Sequence, residues 1–114
     1  MSGYQRSTQF FGKQVTLAGN TAAKLLTLLL AIDANIPANV RELSIQMDGG
    51  QAGTLLIGDS DISTTVYGVA LVSTSGVPSA PFYMGSGSDI CNVPLGSIYL
   101  LSSVAAKVNV FGFA

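Results

Sequence analysis

The 114-residue chain contains no histidine and no tryptophan. The missing histidine removes the commonest general base and the commonest metal ligand together. A Ser-His-Asp triad and a zinc site of the usual composition are therefore excluded. Charge is scarce as well: 10% of the residues are charged and the formal net charge is −1, against about 25% charged in a typical soluble domain. The five basic residues, Arg6, Lys13, Lys24, Arg41 and Lys107, are scattered along the chain, whereas a nucleic-acid binder clusters them. A lone cysteine, Cys91, excludes an internal disulfide. With no histidine to activate it and no base beside it in sequence, it reads as a small buried hydrophobe. No apolar run approaches the roughly 20 residues that cross a bilayer. The longest, residues 25–32, is interrupted by Thr27. The first dozen residues lack the apolar stretch of a secretory signal, so a chain made in the cytoplasm and not inserted in a membrane is expected.

What is present is apolar and neutral. Hydrophobic residues make up 48% of the chain, and the mean hydropathy is +0.50. About one residue in five is Ser or Thr, and there are 13 glycines, a mixture suited to strands, tight turns and close contacts between subunits. The length suffices for one domain with a real core and is too short for two. A surface with so few charges has little to keep neighbours apart, and apolar patches that one domain cannot bury tend to become interfaces. An assembly is therefore expected.

Residues 1–12 read as an N-terminal arm, small and polar apart from Tyr4 and the pair Phe10 and Phe11. A single β domain over residues 13–114 follows. Residues 14–17 alternate as a strand. Asn20 and Thr21 offer an N-cap for a short helix within residues 21–33, apolar almost all round and hence buried, before Pro37. The segment 41–48 alternates cleanly: Leu43, Ile45 and Met47 point one way, and Glu42, Ser44, Gln46 and Asp48 the other. Asp48, Gly49 and Gly50 are expected to turn this strand into a return strand over residues 53–57. Further strands are expected at 66–72, 81–84 and 90–94. Residues 96–102 and 107–113 are expected to form a last hairpin. About eight short strands and one helix near the N-terminus predict a mainly β fold, an antiparallel β-sandwich or jelly-roll-like barrel.

No catalytic residue, metal ligand or cofactor site emerges, and the chain is not expected to be an enzyme. The acids Asp33, Glu42, Asp48, Asp59, Asp61 and Asp89 fall almost entirely in turns, where Asp caps backbone, rather than in the facing pair a glycosidase needs. Asp59-Ser60-Asp61 lacks the third ligand, the glycine and the terminal Glu of an EF-hand loop, so a simple turn is expected. Residues 85–88 are glycine-rich but lack the lysine and the following helix of a phosphate loop. Tyr4, Tyr67, Tyr83 and Tyr99 are the only side chains able to stack on a sugar ring as Tyr or Trp would. Tyr83, beside the Gly85 loop, is the best placed of them.

Several segments together resemble small virion proteins of tailed bacteriophages. They are Val15-Thr16-Leu17-Ala18, Ile36-Pro37-Ala38-Asn39-Val40-Arg41-Glu42-Leu43, Leu56-Ile57-Gly58-Asp59-Ser60-Asp61-Ile62-Ser63-Thr64-Thr65, Tyr67-Gly68-Val69, Leu95-Gly96-Ser97-Ile98-Tyr99-Leu100 and Lys107-Val108-Asn109-Val110-Phe111. The resemblance is to β-sandwich proteins that decorate or cement capsids. It covers about residues 13–114, and none of its pieces is a catalytic motif. It implies a structural protein of the virion that self-associates, with a trimer favoured, and clamps the major capsid protein lattice through loops and an N-terminal arm. It implies no active site, and the scattered basic residues and short apolar runs lead to no expected nucleic-acid or membrane partner. Tyr4, Phe10, Phe11 and Tyr83 are the expected partner contacts. A tail, neck or fibre-associated subunit and a carbohydrate-binding host-recognition module are the alternatives.

Overall fold

The computed structural model describes residues 10–85 and 93–114. Its strands are β1 (Phe10–Leu17), β2 (Ala23–Lys24), β3 (Asn39–Val40), β4 (Glu42–Met47), β5 (Gly53–Gly58), β6 (Val69–Ser73), β7 (Phe82–Met84), β8 (Val93–Pro94), β9 (Tyr99–Ser102) and β10 (Ala106–Phe113). One short helix, α1 (Leu25–Ile32), and a 3-10 turn (Leu95–Ser97) complete the elements. The strands form two four-stranded antiparallel sheets, ordered β1-β10-β4-β7 and β2-β9-β5-β6, and a small β3-β8 pair. The fold is mainly β, with antiparallel sheets and one helix near the N-terminus. Both sheets are open, so no closed barrel forms among the described residues.

Period-two alternation explains which face each strand buries. Leu43, Ile45 and Met47 on β4, Val108 and Val110 on β10, and Val15 and Leu17 on β1 all point inward. The second sheet contributes Leu55, Ile57, Leu71 and Leu100 to the same core cluster. Each such side chain gains about 1.5–3 kcal/mol by leaving water, so the shared cluster is what holds the two sheets together.

Two expected hairpins are absent. β4 pairs with β10 and β7, while β5 pairs with β6 and β9. The turn at Asp48, Gly49 and Gly50 therefore carries the chain from one sheet to the other. Gly49 permits this because a Cβ there would lie 2.6 Å from the backbone at Val77 and Pro78. Likewise β9 lies in the second sheet and β10 in the first. The link between them is tightened by Ser102, whose hydroxyl donates to the Val104 carbonyl (2.6 Å) and accepts from the Val104 amide (3.3 Å). The hairpin that does form joins β5 to β6 through residues 59–68. As expected from its composition, Asp59 builds the turn: its carboxylate accepts from the Asp61 amide at 2.9 Å.

The helix also departs from its sequence reading. It begins at Leu25, not near Thr21, because Asn20 takes a left-handed conformation (φ 58°) and donates its amide to the Ser102 carbonyl at 2.7 Å. The residue before the helix is Lys24, which supplies no side-chain cap. The helix closes at Asp33, whose carboxylate accepts the Asn35 amide, four residues before Pro37. Only Leu25 and Leu29 are buried, while Leu30 and Ile32 are exposed, so the helix covers the core with one face and shows an apolar face outward.

Candidate functional site: an aromatic outer sheet face

The side of β1-β10-β4-β7 opposite the core is built by the other half of the same alternation. Register fixes its rows. Phe10 lies opposite Phe113, and Phe113 opposite Glu42. Gly12, Phe111, Ser44 and Tyr83 form the next row across all four strands. Gln14, Asn109 and Gln46 form the third. Thr16 and Lys107 lie beyond them.

The first two rows are aromatic. Phe10 stacks on Phe111 with ring centroids 5.8 Å apart and lies 6.1 Å from Phe113, and Phe111 meets Phe113 edge-on at 5.2 Å. Phe10 is 64% exposed and Tyr83, across Ser44 from Phe111, is 71% exposed. A large aromatic surface facing water is the kind of feature that marks an interaction site. The third row is an amide ladder. Gln14 Nε2 donates to Asn109 Oδ1 (3.0 Å), Asn109 Nδ2 to Gln46 Oε1 (3.5 Å), and Gln46 Nε2 to the Ser79 carbonyl (2.9 Å). Beside the rings, Glu42, Ser44, Tyr83, Met84, Gly85, Phe111 and Phe113 line a shallow depression.

The four residues singled out in sequence separate here. Phe10 and Tyr83 stand on this face. Phe11, the immediate neighbour of Phe10, points into the core and is 8% exposed. Its ring lies over Gly112 on β10, where a Cβ would come within 2.6 Å of it. Phe11 is thus a core residue and not an exposed anchor. Tyr4 lies outside the described residues, as do Cys91 and residues 86–89 of the expected glycine-rich loop. Phe10, Phe11 and Gly12 are the first residues of β1, which shortens the expected arm at its C-terminal end.

Phe111 and Phe113 were missed as site residues, though a signal for them exists. In Lys107-Val108-Asn109-Val110-Phe111-Gly112-Phe113 the two rings fall in phase with Lys107 and Asn109, on the polar side of the strand. Of the other tyrosines, Tyr67 is half-exposed in the β5–β6 connection, and Tyr99 lies under the Lys24 ammonium, 5.9 Å from its ring centroid.

Among the described residues, no three His, Cys, Asp or Glu side chains group together. Asp33 is engaged by Lys13 at 3.7 Å. No helix of the described residues is long and apolar enough to cross a membrane.

No protein-family model and no curated protein matches the chain. Among solved structures, a chain from a study of Bacillus endospore appendages, described as a novel family of disulfide-linked pili, matches at 18% identity. The match covers 94% of this chain and 86% of that one, with a TM-score of 0.39. A likeness this distant supports no inference about fold or function.

Proposed function

We propose that this chain is a non-enzymatic structural subunit of a bacteriophage virion, specifically a capsid decoration or cement protein. In this reading it packs against copies of itself and against the major capsid protein lattice. The two open sheets around one core serve as a rigid sandwich, and the outer face of β1-β10-β4-β7 is the docking surface. The observation that carries the proposal is that face: Phe10, Phe111, Phe113 and Tyr83 crowd one end of it, and Glu42 and Lys107 are the only charged residues in its strand rows. Aromatic side chains bring large contact area at little entropic cost, which is why they anchor protein interfaces. The resemblance of residues 13–114 to decoration proteins supplies the virion setting. A tail, neck or fibre position would use the same face.

The test is co-sedimentation of the purified chain with phage capsids stripped of decoration. Wild-type chain binds to a fixed stoichiometry, and a Phe10→Ser, Tyr83→Ser double variant, still fully folded at the assay temperature, loses at least tenfold in affinity. Equal binding by the variant removes this face from the mechanism. A second reading, sugar binding, is favoured by one observation, the exposure of Tyr83 next to Ser44 and Glu42. Glycan-array binding lost on Tyr83→Ala would put that reading first.

A further inference from the structure

Resting on the docking face proposed above, we infer that the depression at its aromatic end is a seat for a cation: it receives an arginine side chain of the partner protein, held between Phe111 and Tyr83 and paired with Glu42.

Register builds the seat. Ser44 on β4 stands between Phe111 on β10 and Tyr83 on β7. Strands in a sheet lie about 4.8 Å apart, so the two aromatic residues are rooted about 10 Å apart with only a serine side chain between them. A cation above Ser44 then has a ring on either side within the roughly 6 Å over which a cation is drawn to an aromatic face. Both rings are exposed. Phe111 is also restrained in advance, stacked on Phe10 and met edge-on by Phe113, so little order is lost when it is covered. Glu42 lies two residues before Ser44 on the same face of β4, with Phe113 beside it on β10. Its other flank is bare: Met84 pairs with Leu43, and the next residue, Gly85, has no side chain. A group entering between the rings therefore meets the carboxylate without passing another side chain.

Charge selects the occupant. Among the described residues the Glu42 carboxylate makes no ion pair and no side-chain hydrogen bond. The cations of this chain are directed elsewhere. Lys13 pairs with Asp33, Arg41 Nε donates to the Ala114 carbonyl at 3.2 Å, and Lys107 lies at the far end of β10 from Phe113. An apolar occupant would cover this carboxylate without replacing its water, at a cost in affinity. A guanidinium answers both parts of the seat. Its faces stack on rings, and its edge donates two parallel hydrogen bonds to a carboxylate. Arginine is also among the residues that carry most of the binding energy at protein interfaces.

The experiment titrates the full chain with N-acetyl-arginine amide, and separately with N-acetyl-citrulline amide, its neutral isostere, at constant ionic strength. Binding is read from the NMR shifts of the Tyr83 and Phe111 ring protons. The expected result is saturable shifts at both rings and at least threefold tighter binding of the arginine compound. Glu42→Gln, an exposed change that keeps the shape, should weaken the arginine compound about threefold and abolish the preference. The same variant should bind stripped capsids about threefold more weakly. Equal binding of the two compounds, absence of saturable shifts, or a preference that survives Glu42→Gln overturns the cation seat. The docking face is judged separately, by the Phe10→Ser, Tyr83→Ser variant on capsids. Its loss of capsid binding without arginine selectivity leaves the face standing and overturns the seat. Arginine selectivity with full capsid binding by that variant sustains the seat and overturns the capsid reading of the face.

Discussion

Phe10 and Phe11 are neighbours in sequence and should behave as opposites. Phe11 is core, and its ring rests on Gly112, which has no side chain to fill the space that truncation would open. Phe11→Ala should cost about 3 kcal/mol, the lower end of the range for a buried phenylalanine, because the site lies on an edge strand. For 114 residues the unfolding entropy is about 240 cal/mol/K, so the Tm should fall by about 12 °C. Phe10 is 64% exposed and loses only its ring contacts with Phe111 and Phe113. Those are worth about 1 kcal/mol, or about 4 °C. Both variants should be melted at high dilution, because association would add to the apparent stability of whichever species dimerises better. At concentrations where the chain associates, Phe10→Ala, not Phe11→Ala, should weaken self-association in the folded state. Equal Tm losses, or a loss below about 4 °C for Phe11→Ala, would show that the opposite-face assignment of the two rings is wrong.

Gly76 and Gly85 both have positive φ, 83° and 105°, yet they should respond differently to alanine. Nothing lies within 4 Å of a Cβ at Gly76, so Gly76→Ala should cost about 1 kcal/mol of backbone strain. At Gly85 the Cβ would collide with the Arg41 carbonyl oxygen at 2.1 Å. Gly85→Ala should therefore cost several times as much in urea unfolding and displace β7, which carries Tyr83. Ser79 is 3% exposed; its hydroxyl accepts the Met47 amide and donates to the Ala80 carbonyl, at 3.0 and 2.9 Å. Ser79→Ala should cost about 1–3 kcal/mol, with the Met47 amide exchanging faster with solvent. Unaltered stability would mean that water replaces the hydroxyl.

Strand faces were legible in the sequence, and strand partners were not. Leu43, Ile45 and Met47 alternate, and so do Leu55 and Ile57 after the turn at residues 48–50. A hairpin sets two such strands side by side in one sheet, whereas a crossing link sets them in sheets that face each other. In both cases the apolar residues point at the same core, so a period of two cannot separate the possibilities. What decides here is the backbone of Val77 and Pro78 against Gly49, a contact 28 residues away in sequence. The same ambiguity misplaced β9 and β10. For the helix, a run of Leu, Ala and Ile over residues 25–32 carries almost no polar contrast, so nothing in it marks Leu30 and Ile32 as the outward side.

The candidate site was half legible for a related reason. Grouping Phe10 with Phe11 as one greasy anchor assumes that adjacent rings act together, which holds in an irregular arm and fails in a strand, where successive side chains point to opposite faces. Phe10 is held in the strand by Phe113, about a hundred residues later, which pairs with it. Local sequence around Phe10 has no access to that partner. From the other end the site was within reach. Once Val108 and Val110 are read as core, Phe111 and Phe113 are left facing water in phase with Lys107 and Asn109. An isolated domain gains nothing by placing two phenylalanines on the solvent side of a central strand, and it then sets a third ring, Phe10, against them. The conflict disappears if that side of the strand is not solvent in the working protein, and this ties the scarcity of charge in the whole chain to one particular face.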